Sequence, residues 1–232
     1  MMNNVKHTTI NPETATVGEV VAQNYHAAGV FRQYGLDFCC GGGITIQAAC
    51  EKHNLNTGEV VQELLNIPWE TSTGEDNYQA WEPDFLIEHI KNTHHRFVRT
   101  KTDEIAIYAE KVARVHGERH PENVEIYKQF VHLAKDLLQH LESEEETVFP
   151  LILEVYEKRL SGQAVDDGLV EKLQKQLDLM VDDHEGAGSS IARIRELSHD
   201  FTPPEDACTT YRILYQNLEG FEKDLHKHVH LE

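Results

Sequence analysis

Residues 137–151 read LLQHLESEEETVFPL, and residues 225–232 read LHKHVHLE. Each segment carries a histidine four residues before a glutamate: His140 before Glu144, and His228 before Glu232. Residues four apart on an α-helix lie about 40° round the axis and about 6 Å along it, so each pair presents an imidazole and a carboxylate from one face. Because burying such groups without partners is costly, the pairs predict two helices that hold metal ions between them.

Both pairs interrupt stripes of apolar residues that recur at heptad spacing in four long segments. The third segment carries His184 in its stripe in the same way, between Met180 and Ala187. A core histidine or a surface ion pair would explain any one of these interruptions alone, but the three together favour a metal site. The run 142–146 is expected to be mostly a solvated acidic face, of which only Glu144 belongs to the stripe.

The second part of the chain contains the four long helical patterns, at 84–116, 123–158, 167–198 and 205–232. Glycine, serine and proline residues mark the breaks between them, at Gly117 and Pro121, at Ser161 and Gly162, and at Pro203 and Pro204. Short connections make consecutive helices antiparallel neighbours. The sequence therefore predicts an all-α protein built on an up-down-up-down four-helix bundle.

The chain divides at a stretch rich in turn residues and proline. We expect a small helical domain, a linker and the bundle, at 1–67, 68–83 and 84–232. In the small domain Thr16, followed three residues later by Glu19, is a capping box that predicts a helix through about Tyr34. Further helices are expected at 44–53 and around 57–65.

Composition limits the class of partner. The 232 residues include 40 acidic and 21 basic side chains, for a net charge of −19, which argues against nucleic acid and against an anionic membrane. The first residues lack the apolar core of a signal peptide, and no apolar run approaches the roughly 18 residues that span a bilayer. The four cysteines fit neither a zinc ribbon nor a Cys-x-x-Cys motif. We expect a cytoplasmic protein with reduced thiols.

A site enclosed by four helices also needs a ligand from the first one. His94 and His95 compete for this role, with His89 behind them. Periodicity favours His94, which shares a stripe with Val98, but spacing alone does not decide between the two. His116 lies about 31 Å beyond His95 on a continuous helix, so we interpret it as a surface or helix-end histidine.

Cys39 and Cys40 precede three glycines at 41–43. Adjacent cysteines form a disulfide only in a strained ring, whereas the glycines free the backbone and a helix N-terminus downstream favours a thiolate. A reactive or metal-handling thiol pair and a tight structural turn both remain open. Cys208 opens the fourth helix, and we expect it to be buried packing.

Four histidines and two carboxylates leave an open edge for a small ligand. Zinc would be satisfied by four ligands, whereas paired sites with bridging carboxylates suit iron or manganese. The residues alone therefore predict a non-haem di-iron centre, but they do not indicate which reaction it carries out.

Several motifs carry a resemblance to a known family. The N-terminal one is Tyr34-Gly35-Leu36-Asp37-Phe38-Cys39-Cys40-Gly41-Gly42. Those of the bundle are His95-Arg96, Val112-Ala113-Arg114-Val115-His116, His140-Leu141-Glu142-Ser143-Glu144-Glu145, Glu146-Thr147-Val148-Phe149-Pro150, Asp183-His184-Glu185-Gly186-Ala187-Gly188 and Thr202-Pro203-Pro204-Glu205-Asp206-Ala207-Cys208-Thr209-Thr210. Over nearly its whole length the chain resembles the repair-of-iron-centres (RIC) family, di-iron proteins with a hemerythrin-like bundle that are linked to recovery of iron–sulfur clusters after nitrosative or oxidative damage.

The resemblance implies a carboxylate- or oxo-bridged di-iron site with the ligands His95, His140, His184 and His228 and the bridging residues Glu144 and Glu232. It thereby selects His95 over His94. The family pattern continues past the last glutamate, so a bridging carboxylate on the final residue of this sequence is expected to be held less firmly.

The leading hypothesis is repair of damaged iron–sulfur proteins by iron donation, with Cys39 and Cys40 assisting transfer. One alternative is an enzyme that reduces NO or peroxide at the di-iron site, with the thiols as an electron relay. Others are a hemerythrin-like binder of O₂ or NO, and a helical scaffold without metal. Steady turnover with a reductant would favour the enzyme, and reversible oxygenation without loss of iron would favour the O₂ binder. Protein stability that chelators do not change would favour the scaffold. An exposed face on the small domain is compatible with a homodimer.

Overall fold

The computed structural model describes residues 10–36, 38, 42–69 and 78–232, except the side chain of Gln79. The chain forms two compact units, of which the first ends at Ala80 and the second begins at Trp81. Among the described residues the regular structure is helical, and β pairing is limited to one isolated bridge between Thr16 and Thr45. The all-α prediction is confirmed.

The first unit contains four short helices, α1 (Val17–Gln23), α2 (Ala27–Gln33), α3 (Ile46–Lys52) and α4 (Thr57–Asn66). Side-chain oxygens of Thr16, Thr45 and Asn56 cap α1, α3 and α4, because each accepts a backbone N–H of the first turn. Apolar side chains of all four helices form one core. Trp69 packs against this core and donates its indole N–H to the carbonyl of Leu64.

The single helix expected over 16–34 is interrupted, and this prediction was wrong. The backbone of Asn24 is extended (φ −155°, ψ 105°) and ends α1. Its side chain accepts the N–H of His26, a local bond that competes with the helix, and donates to the carbonyl of Pro68, which is distant in the chain. The helix expected at 44–53 corresponds to α3. It begins at Ile46, two residues later than expected, because Thr45 is its N-cap.

The second unit is a four-helix bundle. The first bundle helix consists of α5 (Pro83–Ile90), a π-helical turn (Lys91–His95) and α6 (Arg96–His116). The second consists of α7 (Glu122–Ser143), a π-helical turn (Glu144–Val148) and α8 (Phe149–Leu160). The third is α9 (Asp167–Leu197), and the fourth is α10 (Thr209–Leu231). Since α6 packs against α7 and α10, and α7 against α9, the predicted bundle is confirmed.

The breaks between the bundle helices have local causes. Gly117 ends α6 where a Cβ atom would lie only 2.2 Å from the carbonyl oxygen of Ala113. The fourth bundle helix was expected from residue 205 but begins at Thr209. A turn closed by a hydrogen bond from Ala207 to Pro204 precedes it, and two prolines cannot continue a helix.

The bundle core combines aliphatic and aromatic side chains of all four bundle helices. Ile105, Phe130, Ile194, Leu214 and Phe221 are each completely buried. None of the described helices is long and apolar enough to cross a membrane. At one level of the bundle, buried histidines and glutamates replace the apolar side chains.

Candidate metal centre

All four bundle helices contribute to the polar level of the core. Its members fall into two groups of four: a first group of His95, Glu144, His228 and Glu232, and a second group of His140, Glu144, His184 and Glu232. Within each group the candidate ligand atoms, one from each residue, all lie within 4.8 Å of one another. The structure therefore brings the six predicted ligands together, and the two glutamates belong to both groups.

Glu144 directs one carboxylate oxygen to each group. Its Oε2 atom lies 3.3 Å from Nε2 of His95, and its Oε1 atom lies 3.3 Å from Nε2 of His140. His140 is one helical turn before Glu144, so the predicted i, i+4 relationship places both side chains on the same face. The contact with His95 comes instead from the neighbouring helix, which links two helices through one carboxylate.

Glu232 has the same arrangement from the opposite side. Its Oε1 atom lies 2.5 Å from Nε2 of His228 and 3.4 Å from Nε2 of His95. Its Oε2 atom lies 3.1 Å from Nε2 of His184. Two carboxylates that each direct one oxygen to either of two histidine groups have the donor arrangement of a bridged pair of cations.

Burial makes this cluster costly without a cation. The side chains of Glu144 and Glu232 are 1% and 0% exposed. Both oxygens of Glu144, Oε2 of Glu232 and Nε2 of His228 are buried, and their close contacts within the cluster lack the geometry of hydrogen bonds. In the second group, Nε2 of His140 lies 3.1 Å from Nε2 of His184. Oxygen and nitrogen donors that converge in this way, with unsatisfied atoms among them, fit bound cations.

The electrostatics also favour positive charge at this level. Burial lowers the pKa of His95, but contacts with Glu144 and Glu232 raise it to about 9. The same opposition between burial and the two glutamates brings the pKa of His140 to about 10. The pKa of Glu232 is lowered despite its burial, chiefly by the charge of His228. Without metal, the cluster therefore holds protons in the place of a cation.

Two π-helical turns lie at the site, one ending at His95 and the other beginning at Glu144. A π turn introduces one extra residue into the helical repeat, so the buried stripe changes phase. The stripe runs through Ile87, Ile90 and His94 up to the first turn, and through His95, Val98, Thr102 and Ile105 after it. This phase change buries His94 and His95 together.

His94, which the heptad spacing favoured, lies beside the cluster and belongs to neither group. Its Nδ1 atom is 3.0 Å from Oδ1 of Asp224. Its ring stacks on that of His228, with centroids 5.6 Å apart and planes 6° apart, while the ring of His89 lies 5.9 Å away on the other side. The sequence signal for the phase change was the pair of adjacent histidines, both compatible with the stripe.

Two further carboxylates contact the outer nitrogens of the histidines. Glu145 Oε1 lies 2.6 Å from Nδ1 of His95 and 2.8 Å from the guanidinium of Arg99. Burial raises the pKa of Glu145, but hydrogen bonds from Arg99 and His95 bring it below its usual value. Asp183 Oδ2 lies 3.2 Å from Nδ1 of His140. Such carboxylates fix the orientation of histidine ligands, so Glu145 is the exception within an acidic run that the sequence predicted to be mostly solvated.

A cavity of about 370 Å³ lies between the second and third bundle helices. His140 and Glu144 line it together with Asp136, Met180 and Asp183. It therefore reaches one side of the second group. The volume exceeds that of a water molecule several-fold, which leaves room for a small ligand.

Two of the four cysteines, Cys50 and Cys208, lie among the described residues. Cys39 and Cys40 lie outside the described residues, so their predicted roles stay predictions. Cys50 is buried in the first unit, and this burial raises the pKa of its thiol. Cys208 is exposed. The expectation of buried packing for Cys208 was wrong, because the N-cap position lies beyond the end of the helix and outside the core.

Comparison with known proteins matches both units. Residues 13–67 match ScdA_N, a domain of unknown function, and residues 86–232 match the hemerythrin HHE cation binding domain. The iron-sulfur cluster repair protein ScdA of Staphylococcus haemolyticus is 32% identical over 216 residues, which cover 93% of each chain. The iron-sulfur cluster repair protein YtfE of Dickeya chrysanthemi is 33% identical over 217 residues, covering 94% of this chain and 92% of that protein. The chain therefore belongs to the RIC family of iron–sulfur cluster repair proteins, with an ScdA_N domain followed by a hemerythrin HHE cation-binding domain.

Proposed function

We propose that the two groups hold two iron ions and that Glu144 and Glu232 bridge them. The shared carboxylates carry this proposal, because each directs one oxygen to either group. The donors of both groups are imidazole nitrogens and carboxylate oxygens, which suit iron in a helical bundle. A single zinc ion would be satisfied by one group of four. Bound iron would supply one-electron redox chemistry at this site.

The function that this site supports best is repair of iron–sulfur proteins whose clusters nitrosative or oxidative stress has damaged. The names of the relatives support the repair role. In this role iron is the substrate that the protein carries and donates. Transfer to a client would replace nitrogen and oxygen donors by the cysteine thiolates that hold iron–sulfur clusters. The chain's own histidines and glutamates would hold the iron until that exchange.

Cys39 and Cys40 are proposed to assist the transfer. Two adjacent cysteines can offer two sulfur donors to one metal ion. Thiolates are also the donors that the client uses. A double Cys39→Ser and Cys40→Ser variant should keep its iron but donate it more slowly. Unchanged donation would remove the thiols from the proposal while leaving the repair role intact.

The cavity beside the second group favours a second candidate function. Because it reaches His140 and Glu144, a diatomic molecule or peroxide has room next to the proposed iron. The protein would then reduce NO or peroxide, or bind O₂ or NO. Repeated turnover of NO or peroxide with an added reductant, without loss of iron, would support this candidate over donation.

The test is reactivation of a hydro-lyase whose [4Fe–4S] cluster has lost iron to peroxide. Iron-loaded protein should restore its activity in proportion to the iron supplied, whereas metal-free protein should not. A His184→Gln variant should bind less iron and restore less activity. His132→Gln is the matched control, since His132 lies on α7 with 68% of its side chain exposed. Equal reactivation by metal-free protein would reject donation.

A further inference from the structure

A histidine and a cysteine meet at the end of the bundle away from the metal cluster. His116 is the last residue of α6, and Cys208 is the N-cap residue of α10. Nε2 of His116 lies 3.2 Å from Sγ of Cys208. The thiol makes no capping hydrogen bond to the first turn of α10, and Cys208 is exposed. The sulfur therefore contacts a base, and its residue is exposed to solvent.

Two helix ends act on this pair in the same sense. The C-terminal end of a helix carries partial negative charge and favours a cation, whereas the N-terminal end favours an anion. His116 stands at the C-terminal end of the 21-residue α6, and Cys208 at the N-terminal end of the 23-residue α10. Both ends thus stabilise the separation of charge when a proton passes from Cys208 to His116, whose Nε2 atom is in contact with the sulfur. A cysteine next to a histidine base is also the arrangement of an activated thiol nucleophile.

An aromatic ring, a second histidine and two carboxylates surround the pair. The ring of Tyr211 lies 5.3 Å from that of His116, between centroids, and 5.9 Å from that of His120. The imidazole of His120 is engaged elsewhere, since its Nε2 atom lies 3.0 Å from Asp206 and its Nδ1 atom 3.2 Å from Glu122. The carboxylates of Asp206 and Glu122 therefore contact His120. The thiol of Cys208 contacts His116 instead.

The pair is separate from the metal cluster. Cys208 precedes His228 by twenty residues, which corresponds to about 30 Å along the helix. Cys50, the other cysteine among the described residues, is buried. The Cys208–His116 pair is therefore independent of the proposed iron chemistry.

We propose that Cys208 is a thiol modification site that hydroperoxides oxidise, with His116 as its base and proton donor. The His116 imidazole takes the thiol proton as the sulfur attacks one peroxide oxygen, so that an S–O bond forms while the O–O bond breaks. With hydrogen peroxide, the sulfur is oxidised to sulfenic acid and the peroxide is reduced. The leaving hydroxide takes the proton of the His116 imidazolium and departs as water.

The test measures the reactivity of each cysteine by peptide mass spectrometry of the full-length protein. At pH 6.5, iodoacetamide should alkylate Cys208 at least about tenfold faster than it alkylates glutathione. The His116→Gln variant should lose this advantage, and the difference between the two proteins should shrink as the pH rises to 9. Hydrogen peroxide followed by dimedone should label Cys208 in wild-type protein and much less in His116→Gln.

His132→Gln again serves as the control and should react like wild-type protein. Metal content of His116→Gln should also match wild type, because the pair lies far from the cluster; this measurement shows that the variant is folded. Alkylation of Cys208 at the rate of glutathione would overturn the proposal. Equal rates in wild type and His116→Gln, or no dimedone adduct at Cys208, would also overturn it.

Discussion

Replacing Glu145 by glutamine would test whether the outer carboxylate sets the affinity of one metal ion. Glu145 Oε1 lies 2.6 Å from Nδ1 of His95 and also accepts a hydrogen bond from Arg99. The Glu145→Gln variant keeps nearly the same shape but removes the negative charge. Because the contact reaches only His95, which belongs to the first group, the loss should fall on the ion of that group.

The size of the effect follows from the geometry. Removing an outer-shell partner of a histidine ligand typically lowers metal affinity about 10–100-fold, or about 1.4–2.7 kcal/mol. The glutamine oxygen can still accept the Nδ1 proton of His95, and 26% of the Glu145 side chain is exposed to screening water. Both considerations place the expected loss at the lower end, about tenfold.

The assay is an anaerobic competition between iron-loaded protein and a ferrous chelator. In Glu145→Gln, one of the two irons should leave at about tenfold lower chelator concentration, while the other should behave as in wild type. Glu146→Gln is the matched control, because the neighbouring Glu146 is exposed. An equal shift of both irons would refute the assignment of Glu145 to one group. An identical shift in Glu146→Gln would refute the role of the contact itself.

Three further predictions use the same protein. Asp183→Asn should weaken the other iron by tenfold at most, since the carboxylate lies 3.2 Å from Nδ1 of His140 and is 59% exposed; the same chelator titration measures it. Loading metal-free protein at pH 7 should release at least about two protons, because the pKa values of His95 and His140 are about 9 and about 10 and metal ligands must be neutral imidazoles; calorimetry in two buffers counts them. Arg195→Met should lower the free energy of unfolding in urea by about 3 kcal/mol, because it leaves the buried carboxylate of Glu222 unpaired.

Neighbouring residues supply the controls. Asp182→Asn should leave both irons unchanged, since Asp182 is exposed. Arg193→Met should leave the urea midpoint unchanged, because the ion pairs of Arg193 with Glu125 and Glu196 lie at the surface. Proton release near zero would mean that the metal-free histidines are neutral, and a stable Arg195→Met protein would show that Glu222 finds another partner.

The bundle and most of the cluster could be predicted because their signals are local. His140 with Glu144, and His228 with Glu232, are one turn apart, and i, i+4 spacing survives in any α-helix. His184 was recognisable since it replaced a hydrophobe in a regular stripe. Glycine and proline marked the helix ends, because their backbone limits apply in any context.

Other features depend on tertiary contacts and could not be predicted. The choice of His95 depends on a π turn, which heptad counting cannot show. Glu145 looked like its exposed neighbour Glu146, and only the approach of the first bundle helix gives it a partner. Asn24 ended α1 through a hydrogen bond to Pro68, forty-four residues away.

The π turn at Lys91–His95 makes the first bundle helix sensitive to the number of its residues as well as to their identity. Deleting Thr93 would join the two segments as an unbroken α-helix in which Ile87, Ile90 and His95 still share one face, because the deletion removes the one extra residue of the turn. Deleting Thr100, within the regular turns of α6, would instead rotate His95 by about 100° relative to the core residues that follow it. We therefore expect metal binding to survive the deletion of Thr93 and to be lost on the deletion of Thr100.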